Sequence, residues 1–122
     1  MASDDEVSRF IRSTFRSVWS LEVLLLLKRD QRRWTDAQIV ASLRASELVV
    51  VQSLEALGAA GLVLADGPGE TCYRPVSPET AALADAAEIL YRQTPDAVRR
   101  MIVSSSAGGL AAFADAFRLR KD

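Results

Sequence analysis

Residues Thr35 to Val63 read TDAQIVASLRASELVVVQSLEALGAAGLV, and the spacing of their apolar side chains decides the fold. Ile39, Val40 and Leu43 share one helical face, and Val50, Leu54 and Leu57 share another, before Gly61 stops the second helix. Thr35 and Gln38 have the spacing of a capping box, in which the threonine hydroxyl satisfies an amide three residues on and the glutamine reaches back. Ser46 is a good N-cap for the next helix, so the pattern is two helices joined by a tight turn. In that next helix, about Glu47 to Ala60, burial of Val50, Leu54 and Leu57 leaves Glu47, Leu48, Val51, Gln52 and Glu55 facing outward.

Downstream, Leu62 to Ala65 and Thr71 to Val76 read as short strands, and Asp66, Gly67, Pro68, Gly69 and Glu70 between them have turn chemistry. The expectation is a β-hairpin. Its glycines form no phosphate loop, because no lysine follows them and no strand-to-helix context surrounds them. Upstream, apolar residues recur at helical intervals from Val7 to about Arg29 without proline or glycine, which predicts one long helix over 7–29, on the order of 35 Å. Leu24 to Leu27 is apolar all round and marks the centre of the core. Arg9, Arg12 and Arg16 form a basic stripe on the first half, and Lys28, Arg29, Arg32 and Arg33 cluster at the end, where positive charge complements the helix dipole.

Beyond the hairpin, Ser77-Pro78 and Thr94-Pro95 each give an N-cap and a first helical position. They predict helices to about Arg92 and over about Asp96 to Val103. Ser104 to Gly109 reads as a joint, and Leu110, Phe113, Ala114 and Phe117 then repeat as an amphipathic stripe to about Arg120.

Composition narrows the chemistry. The 122 residues suffice for one domain with its own core, and 49% hydrophobic with 25% charged residues matches a folded protein rather than a disordered one. Cys72 is the only cysteine and there is no histidine, so an intrachain disulfide, a Cys/His zinc site and histidine acid–base chemistry are excluded. No cofactor, metal or catalytic residue is expected. The serines of Ser104 to Ser106 lack a base, and the chain is not expected to be an enzyme. Met1 to Glu6 is acidic and unlike a signal peptide, and the apolar run Leu21 to Leu27 is far below a membrane span. Cytoplasmic residence without membrane contact is the expectation. Charge is unevenly distributed: residues 1–34 carry seven basic and five acidic groups, 35–76 two and five, and 77–122 six of each.

The element order, with Ala45-Ser46 followed by Val50, Leu54, Leu57 and Gly61-Leu62-Val63, resembles the winged helix-turn-helix of bacterial transcriptional regulators of the MarR and PadR kind over about residues 15–76. The fold expected is mainly α with a small β-hairpin: a single winged-helix domain over 1–122, with the core motif at 35–76 flanked by the long N-terminal helix and by C-terminal helices over 78–120. The resemblance implies a homodimer held by terminal helices, for which Phe10, Phe15, Leu110, Phe113 and Phe117 are the candidates, with the third helix in the major groove and the wing on the backbone.

Two functions follow as expectations. In a regulator that binds double-stranded DNA, Ser46, Gln52 and Ser53 approach bases while Arg32, Arg33, Thr35, Arg44 and Arg74 contact phosphates. The alternative is a protein–protein interaction module, in which Glu47, Leu48, Val51 and Glu55 dock a basic or apolar partner. The outward face of the third helix carries no lysine or arginine, which weakens any grip on phosphate.

Overall fold

The computed structural model describes residues 3–105. They form α1 (Asp4–Thr14), α2 (Val18–Arg29), β1 (Trp34–Thr35), α3 (Asp36–Leu43), α4 (Glu47–Ala59), β2 (Val63–Ala65), β3 (Glu70–Tyr73), α5 (Pro78–Gln93) and α6, helical over residues 95–105. The described chain is therefore mainly helical with one small antiparallel sheet, ordered β1-β3-β2.

The predicted long helix over 7–29 is two helices. Phe15 takes an extended backbone as the C-cap of α1, and Ser17 opens α2. The Ser20 amide donates to Ser17 Oγ at 3.3 Å and the Ser17 amide to Ser20 Oγ at 3.4 Å, so a capping box satisfies the donors that continuous helix would have used. The apolar period alone could not reveal this break, because the helices on both sides share it. The break turns Phe15 inward to 1% exposure, edge-to-face with Phe10 at 5.8 Å.

Around α2 the core closes. Leu21, Val23, Leu24, Leu25 and Leu27 are buried, and α2 packs most broadly on α4, whose Val50 and Leu57 face it with Ile39 of α3. Small residues, Ala84 and Ala87, make the buried face of α5, and Val98 and Ile102 of α6 complete the cluster. A polar seam joins α2 to α5. Lys28 Nζ lies 2.9 Å from Asp85 and 2.6 Å from Glu88, Arg29 Nε donates to Glu88 at 3.2 Å, and Tyr91 donates to Glu22 at 2.9 Å.

A Schellman motif ends α4: the Gly61 amide donates to Gly58 O and the Leu62 amide to Leu57 O. Gly61 has φ +75, and the chain then runs directly into β2. The hairpin pairs Val63 with Tyr73, Leu64 with Cys72 and Ala65 with Thr71, and Gly67 and Gly69 supply the positive φ of its turn. The strand β1 had no sequence signature, since two residues are too few for an alternating pattern. It pairs Trp34 with Thr71 and Thr35 with Glu70, which sets the start of α3 against the hairpin.

Candidate functional site

The exposed side of α4 is the natural place to look, because it is flanked by both the α3 start and the hairpin. Ser46 caps α4, its hydroxyl accepting from the Val49 amide at 3.2 Å. Glu47, Leu48, Gln52 and Glu55 are exposed, Leu48 at 65%, and Val51 is half-buried. Ser53 is 4% exposed and lines the α2 side of α4, so it is removed from the candidate base contacts. It stands three residues after Val50 and four before Leu57, which places it on their face.

Three of the candidate phosphate contacts, Arg32, Arg33 and Thr35, have partners within the chain. Arg32 Nε donates to Asp30 at 2.9 Å, and its guanidinium stacks over the Trp34 ring at 3.7 Å. Arg33 Nε donates to Asp66 at the hairpin turn at 3.0 Å. The Thr35 hydroxyl accepts from the Gln38 amide and the Thr35 amide donates to Gln38 Oε1, so the cap uses the Thr35 amide and leaves only the hydroxyl proton to donate elsewhere. Arg44 closes α3 in a left-handed conformation, φ 55, and is exposed, as is Arg74 at the base of the hairpin. Among the described residues neither makes an ion pair. Asp36 and Glu47 meanwhile occupy the first turns of α3 and α4, where the helix dipole favours an anion.

Sequence reasoning missed the two carboxylates that hold Arg32 and Arg33. The first was legible, two positions away. The second lies across the fold and needed the pairing of β1 with β3 to bring it near.

Two grooves flank α4. One, of about 590 Å³, lies against the start of α2 between Trp19, 41% exposed, and Val49, Gln52 and Ala56. The other, of about 310 Å³, lies against the sheet, with Val51, Leu54 and Val63 as walls, Gly58 on the helix side, and Asp36 and Glu55 among the lining. Glu55 and Ala59 border both, so the exposed face is a ridge between two depressions.

The electrostatics of the polar seam are structural. Burial alone would lower the Lys28 pKa, but hydrogen bonds and charge from Glu88 and Asp85 outweigh it and the net shift is upward. For Glu88 burial pushes up, and Lys28 and Arg29 together prevail to hold the carboxyl below its ordinary value.

Of the dimerisation candidates, Phe15 is buried in the chain's own core, and Phe10 is half-buried against it with part of its ring exposed. Leu110, Phe113 and Phe117 lie outside the described residues. Among the described residues no helix is long and apolar enough to cross a membrane. No protein-family model, curated protein or solved structure matches the chain.

Proposed function

We propose that the chain is a winged-helix module that docks a protein partner on the exposed face of α4. The winged-helix assignment draws on the order α3, turn, α4, hairpin, with β1 as the third strand. Protein rather than duplex DNA is favoured by one observation above others: Arg32 and Arg33, the arginines that immediately precede the motif, are each paired with a carboxylate. A phosphate that approaches either guanidinium meets the carboxylate of Asp30 or Asp66 beside it, and the exposed face of α4 already carries Glu47 and Glu55. Leu48 and Val51 supply the apolar centre, and the carboxylates supply a rim that selects a cationic partner.

A DNA-binding transcriptional regulator is the second reading, favoured by Arg44 and Arg74, which are exposed before and after α4 in the chain. Gel retardation of duplex DNA at low and at moderate salt separates the two. The docking reading expects no retarded band in either condition. A band at low salt that vanishes with Arg44→Ala plus Arg74→Ala establishes the second. Conversely, a co-purifying protein partner is expected to be lost from Leu48→Asp with Val51→Asp.

A further inference from the structure

The groove between α4 and the sheet deepens the docking reading, on which this inference rests, by naming the chemistry of the partner. Gly58 is its odd feature. It sits in the last turn of α4 without a positive φ, so no backbone conformation demands glycine there. A Cβ built on it meets no atom within 4 Å, so no neighbour in the described fold demands it either. Glycine in a helix is disfavoured against alanine by up to about 1 kcal/mol, and the fold returns nothing for that loss. What the missing side chain leaves is space, within a groove walled by Val51, Leu54 and Val63.

Charge then restricts what fills it. Asp36 and Glu55 line the same groove and make no ion pair or hydrogen bond among the described residues. An anionic or purely apolar occupant would strip water from two carboxylates and give nothing back, whereas a cation beside an apolar side chain satisfies both parts. The volume, about 310 Å³, is at the bottom of the range for small-molecule pockets, roughly 300–1,000 Å³, and suits a pair of side chains. We propose that this groove seats a basic amphipathic helix of a partner protein, with an apolar side chain over Gly58 and an arginine or lysine one turn away between Asp36 and Glu55.

The test uses the full chain and a fluorescein-labelled helical peptide of alanine, leucine and arginine, with leucine and arginine one turn apart, beside its glutamate-for-arginine counterpart. Fluorescence anisotropy is expected to show binding of the arginine peptide alone. Gly58→Leu, which fills the groove, is expected to weaken it at least about ten-fold, equivalent to about 1.4 kcal/mol. Its thermal midpoint is expected to stay at or above wild type, and Gly58→Ala provides a smaller change should leucine disturb the fold. Asp36→Asn with Glu55→Gln is expected to weaken binding similarly and to flatten its salt dependence. Equal binding of the two peptides overturns the proposal, as does wild-type affinity in Gly58→Leu. Concentration-dependent self-association lost in Gly58→Leu would put a second copy in the groove and overturn it too. If Leu48→Asp abolishes peptide binding while Gly58→Leu leaves it intact, the groove fails and the wider docking reading survives. Retardation of duplex DNA by wild type and Gly58→Leu alike sinks both.

Discussion

Gly61 and Gly69 both hold a positive φ, +75 and +70, yet only Gly61 has a neighbour in the way: an added Cβ there comes 2.8 Å from Val76 Cγ1, and at Gly69 it meets nothing. Gly69→Ala should therefore cost only the left-handed backbone penalty, about 1–2 kcal/mol. Gly61→Ala should cost at least about 1 kcal/mol more from overpacking, and urea denaturation of the two variants reads the difference directly. Glu88 tests the polar seam. Its side chain is 11% exposed, beside Lys28 at 14%, and its pKa is lower in the folded chain than unfolded. The stability it contributes is thus complete above the unfolded value, about 4.3, and is lost as pH falls through the folded value. Urea midpoints followed from neutral pH to pH 3 should fall less steeply for Glu88→Gln than for wild type. Equal slopes would assign the acid loss to other carboxylates. At this scale the sequence was partly legible. The period that buries Val50 and Leu57 also buries Ser53, and Arg92 is a local partner of Glu88, but Lys28 and Arg29 are brought to it from α2, about sixty positions away.

At the scale of elements, capping decides where α2 begins. Ser17 and Ser20 replace the amide partners of a continuous helix, and Ser17→Ala should cost about 1 kcal/mol. Ser13, exposed and bonded only to the Phe10 carbonyl, is the control. Ser13→Ala should stay within about 0.5 kcal/mol of wild type, both measured by thermal denaturation. The break itself should survive Ser17→Ala, with unchanged helical circular dichroism, because Phe15 and Ile11 are buried on its account. The boundaries of α3, α4 and α5 were legible from Thr35, Ser46 and Ser77, since a cap is a local interaction within three residues. The division of α1 from α2 was written in the same chemistry, but an unbroken apolar period masked it.

For the whole molecule the arrangement of charge matters more than its sum. Residues 35–76 hold two basic and five acidic groups, and the fold sets Arg33 of the preceding segment against one of the five, Asp66. Asp30→Asn with Asp66→Asn should free Arg32 and Arg33 at little cost, since such exposed pairs contribute about 0–1 kcal/mol. The double variant is expected to retard duplex DNA at low salt where wild type does not, with retardation disappearing as salt rises. A double variant that remains inert would show that ion pairing is not what keeps phosphate away. Sequence by itself determined the helices around the tight turn, the hairpin after Gly61 and the acidic and apolar face of α4, because helical period, caps and turn residues act over a few positions. Only the tertiary structure decided that Arg33 is spent on Asp66, that Phe15 belongs to the core, and that Asp36, Glu55 and Gly58 share one groove. Those outcomes depend on β1 pairing with β3 and on α2 packing against α4, contacts between residues far apart in the chain that no local pattern encodes.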